Sequence, residues 1–233
     1  MEDYGYNKWV DYIEKIFGKL NNTPSTVVDI ACGTGNMTVL LAEKGYNIIG
    51  IDNSEDMLYV AKEKSLNRGL DIPFIHQDIR NLALHRPVDA ITCMCDGFNY
   101  ILSDIELLSI FKKIYELLNR QGILLFDISS YYKLSKVLKD NIMADASEDI
   151  SFIWFNTFDE QDDICCMDLT FFVKEGYRYR RFDETHYQRA YNLNDVKTFL
   201  ANSGFSNIQV FNPLTFDSPK IDSHRWVFIA QKM

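Results

Sequence analysis

The chain has 233 residues, 47% of them hydrophobic and 24% charged, with a formal net charge of -9; this is the make-up of one folded domain with a full core and excludes a long disordered tail. The acidic balance repels phosphate backbones, so nucleic acid is a poor first candidate for a partner. No apolar run is long enough to cross a bilayer, and the opening MEDYGYNKW is acidic and aromatic where a secretory signal is basic and then apolar, which points to a cytoplasmic protein without a membrane partner.

In chain order, Trp9, Val10, Ile13, Ile16, Phe17 and Leu20 fall at helical spacing until NNTPS breaks the pattern. Strands and helices then alternate. VVDIA, NIIGID, PFIHQ, VDAITCMC and GILLFDI read as strands; 37–44, a segment opening at Ser54 and 105–118 read as helices between them. Short apolar strands separated by amphipathic helices describe a mostly parallel sheet covered on both faces. After Tyr132 the rhythm changes. ISFIWFNTF, ICCMDLTFFV and YRYRRFDETHYQRAY alternate as antiparallel strands, with KEG as a turn. A helix over 195–202 and two strands, NIQVF and RWVFIAQ, close the chain. The expectation is a single domain over 1–233, with a core over 24–132 and an antiparallel β insert over 150–191.

The five cysteines, Cys32, Cys93, Cys95, Cys165 and Cys166, show no C-x-x-C spacing, so neither a disulfide framework nor a metal site is expected. The basic stretch 174–181, KEGYRYRR, reads either as a small anion patch or as the solvated side of a hairpin.

The stretch VVDIACGTGNMT carries the chemistry. Asp29 near a strand end, Gly33 and Gly35 in a tight turn, and a helix start at Asn36 bring backbone N–H groups to the carboxyl edge of the sheet, where an adenosine cofactor can bind. Asp52 ends the next strand and is placed to accept hydrogen bonds from both ribose hydroxyls. The third glycine of a dinucleotide loop is replaced by Thr38, so a cofactor without a pyrophosphate suits the loop better.

The ordered series VVDIACGTGNMT, IIGIDNSEDML, FIHQDIRNL, VDAITCMCDGFNYI and LLNRQGILLFDI resembles class I S-adenosylmethionine-dependent methyltransferases. TFFV, RFDETHYQRAY and the final strand further resemble small bacterial members of unassigned substrate, related to aminosugar N-methyltransferases. The resemblance implies a Rossmann-like seven-stranded sheet with an antiparallel last strand and S-adenosylmethionine as cofactor. It also implies that Asp29, Ala31 and Gly33 receive the methionine end, that Asp52 and Asn53 hold the ribose beside Met57, and that Asp78 and Ile79 flank the adenine. Cys95 and Asp96 would face the sulfonium. Such relatives carry an additional N-terminal aromatic segment folded over the cofactor, for which MEDYGYNKW supplies no counterpart.

The Pro-Pro-Tyr or Pro-Pro-Phe motif of enzymes that methylate amide or base nitrogens is absent, the segment reading CDGFNY. The expected acceptor is therefore a small molecule methylated at nitrogen or oxygen. In the insert, Glu184, His186 and Gln188 share one strand face; this face is either a substrate cover or the wet side of a sheet. Histidine titrates near neutrality, which makes His186 the candidate base, oriented by Glu184, with Asp96 and Asn99 approaching from the fourth strand. A non-catalytic cofactor sensor or assembly factor, or an RNA or protein methyltransferase, remains as the alternative.

Overall fold

The computed structural model describes residues 5–20 and 23–233. Residues 1–4 of the aromatic opening, and Asn21 and Asn22 of the first break, lie outside the described residues. Helix α1 (Tyr6–Lys19) buries Trp9, Val10, Ile13, Ile16 and Phe17, the stripe that its spacing predicts. It packs on α2 (Asn36–Glu43) within a cluster that takes Val27, Ile123, Leu125, Val227 and Ile229 from one face of the sheet. The opposite face contributes Val28, Ile30, Leu124, Phe126 and Phe228 to a second cluster, under α4 (Asp104–Leu117) and α5 (Leu193–Asn202). Burial on both faces explains why these strands read as continuous apolar runs.

The strands are β1 (Thr26–Ile30), β2 (Asn47–Asp52), β3 (Phe74–His76), β4 (Val88–Cys93), β5 (Leu118–Ser129), β10 (Ser206–Phe211) and β11 (Arg225–Gln231), in the order β10-β11-β5-β4-β1-β2-β3. β1 pairs in parallel with both β2 and β4, whereas β11 runs antiparallel to β5 and to β10. The chain moves outward from β1 to β3 and then returns to the other side of β1 at β4. This reversal opens a crevice at the carboxyl ends of β1 and β4, the switch point at which such sheets bind ligands.

The second sheet, between β5 and α5, is antiparallel: β6 (Ile142–Ala146), β7 (Ile150–Asp159), β8 (Ile164–Glu175) and β9 (Arg178–Arg189). The sequence reading has three of these strands and lacks β6. That strand is an edge of short, mostly exposed residues with no alternating burial, so it carries no periodic signal and exists through its pairing with β7. A π-helical segment, Lys133–Leu138, precedes it and buries Leu134 and Leu138 under the sheet with Cys165 and Met167. The basic hairpin 174–181 is a solvated surface feature, with Arg180 paired to Glu175 at 3.1 Å, Lys174 to Glu148, and Arg181 to Asp183 at 2.9 Å.

Candidate active site

A cavity of about 850 Å³ occupies the crevice, with Ala31, Gly33, Asp52, Asn53, Met57, Asp78, Ile79 and Cys95 on its wall. Its floor is the turn after β1. Gly33, at φ 53°, would direct a Cβ into open space, so its bare backbone faces the cavity. Gly35 would not. At φ 70° an added Cβ would come within 2.8 Å of Ala61 on α3 (Glu55–Asn67), so its place in the motif serves the turn and the packing of α2 on α3.

The residue in place of the third glycine has a definite task. Thr38 Oγ1 donates to Asp29 Oδ2 at 2.6 Å, and Thr92 Oγ1 donates to Asp29 Oδ1 at 2.8 Å. The two hydroxyls strap α2 and β4 to the carboxylate of β1 beneath the loop. Asp29 is only 2% exposed, and burial, reinforced by the charge of Asp52 and opposed by the two threonines, pushes its pKa up to about 6.

Asp52 accepts from the Gly33 amide at 2.7 Å and from the Ser54 amide at 2.9 Å. A carboxylate has about four acceptor positions, so the loop is held and acceptor capacity remains at the cavity wall. Asp78 caps the turn that follows β3 and is gripped by the guanidinium of Arg80, with Nε 3.0 Å from both carboxylate oxygens and Nη2 2.6 Å from one of them. That pairing, against the opposing effect of burial, holds Asp78 below the usual carboxylate range. Arg80, on which the sequence is silent, also lines the cavity.

At the end of β4, Cys95 and Asp96 stand at φ 65° and φ 61°, a pair of non-glycine left-handed residues of the kind that cluster at functional sites. The turn is fixed from below: the Cys95 amide donates to Asp127 Oδ1 at 2.6 Å, and a Cβ on Gly97 would strike Cys93 Sγ at 2.6 Å. Asp96 and fully buried Asp127 both pair with Arg225 of β11. Burial raises the pKa of Asp96, but Arg225 and Lys133 outweigh it and hold the group below its ordinary value. Asp96, which the sequence reading sets beside the sulfonium and the acceptor, is thus an ion-paired anion whose carboxylate is engaged by Arg225.

Asn99, read from the sequence as part of the catalytic group, is fully engaged with backbone. Its amide donates to the carbonyls of Ser129 at 3.2 Å and Arg189 at 2.9 Å and accepts from the Ser129 amide at 2.9 Å. With no exposure, it is a strut that ties the end of β9 to the end of β5.

The insert face is not simply wet. Exposure falls from Glu184 through half-buried His186 to buried Gln188 as β9 enters the body. His186 lines the cavity, with Nδ1 3.3 Å from the hydroxyl of Tyr100 and Nε2 3.2 Å from Glu184 Oε2. Tyr100, also on the wall, has a phenol pKa raised first by burial and then by the charge of Asp96. It is missing from the sequence reading because a tyrosine in a 3-10 turn carries no motif. Tyr6 is on the wall as well, so the N-terminal stretch does reach the cavity. Its signal was available in the aromatic opening.

Residues 27–122 match a family model described as a methyltransferase domain. YqeM of Bacillus subtilis (strain 168), a methyltransferase by name, is 37% identical over 97% of this chain and 90% of its own. The crystal structure of an S-adenosylmethionine-dependent methyltransferase from Clostridium acetobutylicum ATCC 824 is 35% identical, with a TM-score of 0.93 over 99% of this chain and 93% of that one. The chain belongs to the S-adenosylmethionine-dependent methyltransferases. Its fold is shared at lower identity, 14%, with CalS10, an amino pentose methyltransferase from Micromonospora echinaspora, at a TM-score of 0.79 over 100% of this chain and 93% of that one. The cofactor of this methyltransferase is S-adenosylmethionine, and the open backbone at Gly33 and the spare acceptor capacity of Asp52 fit it. Among the described residues, no helix is long and apolar enough to cross a membrane, and no group of three or more His, Cys, Asp or Glu could hold a metal ion.

Proposed function

We propose that this methyltransferase acts on a small molecule, at nitrogen or oxygen, in the part of the cavity bounded by Tyr100, Ile101 and His186. The observation that carries the reading is the contact of Tyr100 with His186 on the wall of the same cleft as the Gly33 loop, with Glu184 bonded to His186. A concave cleft of this size suits a cofactor and a small acceptor; a macromolecule would require a broad docking face, and the acidic net charge disfavours RNA. Sugar N-methyltransferases share the fold, which brings nitrogen forward among the acceptor atoms.

When bound, S-adenosylmethionine supplies an electrophilic methyl group on a sulfonium. In this reading the backbone of Ala31 and Gly33 receives its methionine half, Asp52 and Asn53 take the ribose hydroxyls, and Met57, Asp78 and Ile79 border the adenine. The turn that carries Cys95 would face the sulfonium. An ammonium or hydroxyl acceptor must lose a proton before it can attack. The phenol oxygen of Tyr100 takes that proton as its own passes to His186 Nδ1, while Glu184 accepts from Nε2–H and stabilises the imidazolium. Positioning supplies much of the remaining rate, since holding reactants in attack geometry is worth about 7 to 11 kcal/mol. Residues 24–132 form the cofactor-binding core of a single domain over 1–233, and residues 150–191, extended by β6, form the cover that excludes water.

The test is a panel of small amines and hydroxyl compounds incubated with S-adenosylmethionine. Release of S-adenosylhomocysteine and gain of one methyl group by a panel member are the expected result. Turnover confined to protein or RNA substrates would overturn the reading.

A further inference from the structure

A half-buried cation stands behind the cofactor loop. Lys64 of α3 extends its ammonium under the 33–36 loop, where Nζ donates to the Thr34 carbonyl at 2.7 Å, to Thr34 Oγ1 at 3.3 Å and to Asn36 Oδ1. Three acceptors around one nitrogen are the partners of an ammonium. These contacts also sort the polarity of the loop. With the Asn36 oxygen turned to Lys64, its amide N–H is left for the other side, where the Asn36 side chain hydrogen-bonds the Tyr6 phenol and lowers its pKa against the dominant effect of burial. Thr34 Oγ1 likewise accepts from behind, so its O–H is directed away from Lys64. Thr34, Asn36 and Tyr6 all line the main cavity. Acceptor atoms therefore point back at the lysine and donors point forward.

Among the described residues on the cavity wall, Arg80 is the only lysine or arginine, and its guanidinium is committed to Asp78. The methionine half of the cofactor ends in an α-carboxylate, a group that only accepts hydrogen bonds and needs a positive field. Buried Asp29 and half-buried Asp52, which accepts from the Gly33 amide, line the cavity beside this loop, so the loop by itself would face an anion with anions. We propose that Lys64 is the positioning residue for that carboxylate, acting through Thr34 and Asn36 without touching it. The proposal rests on the assignment of this loop to the methionine half.

Calorimetry of S-adenosylhomocysteine and of its carboxamide, in which the carboxylate charge is removed, tests it on the intact protein. The wild type should bind the carboxylate form about tenfold or more tighter, the range for a charge-assisted hydrogen bond. Lys64→Met should bring the two ligands within about twofold, and Lys64→Arg should keep part of the preference. Thermal unfolding of each variant reports whether the fold is intact. Equal weakening of both ligands by Lys64→Met would reduce Lys64 to a prop for the loop and overturn the proposal, as would unchanged affinity for both. A wild type that does not distinguish the two ligands would instead refute the assignment of the loop to the methionine half, and the proposal with it.

Discussion

Thr38 replaces a glycine with a hydroxyl, and the consequence is a strap from α2 to a buried carboxylate. Thr38→Val keeps the shape and removes that donor, so the protein should lose about 1 to 3 kcal/mol in denaturant unfolding, the cost of leaving a buried acceptor short of a partner. Asp29 itself has a testable pH signature. Its folded pKa of about 6 lies above the ordinary aspartate value of 3.8, so the folded state binds more protons between those values and stability contributed by protonation is lost as pH rises through them. The shift corresponds to about 3 kcal/mol. Without cofactor, wild-type stability should fall relative to Asp29→Asn by an amount of that order between about pH 4 and 7; parallel pH profiles would refute the shift. Asp52 carries two burdens. Asp52→Ala should weaken S-adenosylhomocysteine at least tenfold and also lower the unfolding temperature, because the Gly33 and Ser54 amides lose their acceptor. Weakened binding with unaltered stability would mean that these two backbone bonds contribute nothing.

Strand β9 is the element that joins cover to chemistry. Its pairing with β8 puts His186 opposite Met167 and Gln188 opposite Cys165, so the inward face grades from water at Glu184 to the small core under the insert. A histidine midway along this gradient is reachable by an acceptor and sheltered from bulk solvent. His186→Ala should lower turnover by roughly 10² to 10⁴ with cofactor affinity unchanged, the range for a positioned acid or base. Tyr100→Phe, which removes the oxygen between acceptor and imidazole, should reproduce most of that loss. If Tyr100→Phe retains full turnover while His186→Ala does not, the proton passes directly to the imidazole and the phenol is only part of the wall.

Across the whole molecule, Arg225 gathers groups that are distant in the chain: Asp96 after β4, Asp127 on β5 and, through Asp96, Gln188 of the insert. Arg225→Met leaves Asp127 buried with its cation gone, and removing one partner of such a pair costs about 3 to 5 kcal/mol. Urea unfolding should show that loss, and the double variant Arg225→Met with Asp127→Asn should recover part of it. The periodicity of α1, the apolar runs of β1, β4 and β5, and the placement of Asp52 and Asp78 after their strands were legible in the sequence, because burial on one face or two leaves a repeating pattern and a ligand edge collects strand ends. The order of the motifs likewise determined the family and its cofactor. What lies across the chain was not legible. Asn99 reads as a member of the catalytic group, and its bonds to the Ser129 and Arg189 backbone are seen only in the fold. Asp96 reads as a residue facing the sulfonium, and its pairing with Arg225 is seen only in the fold. Gly35 reads as a ligand contact, and its close approach to Ala61 is seen only in the fold. Tyr100, Arg80 and Lys64 acquire their places only when separate elements meet. Sequence alone determined the main strands, the loop and, through the family that its ordered motifs resemble, S-adenosylmethionine, since each depends on neighbours within one element or on ordered motifs. The tertiary structure decided which charges are neutralised and which side chains reach the cleft, because an ionised group takes its character from partners brought within a few ångströms by folding.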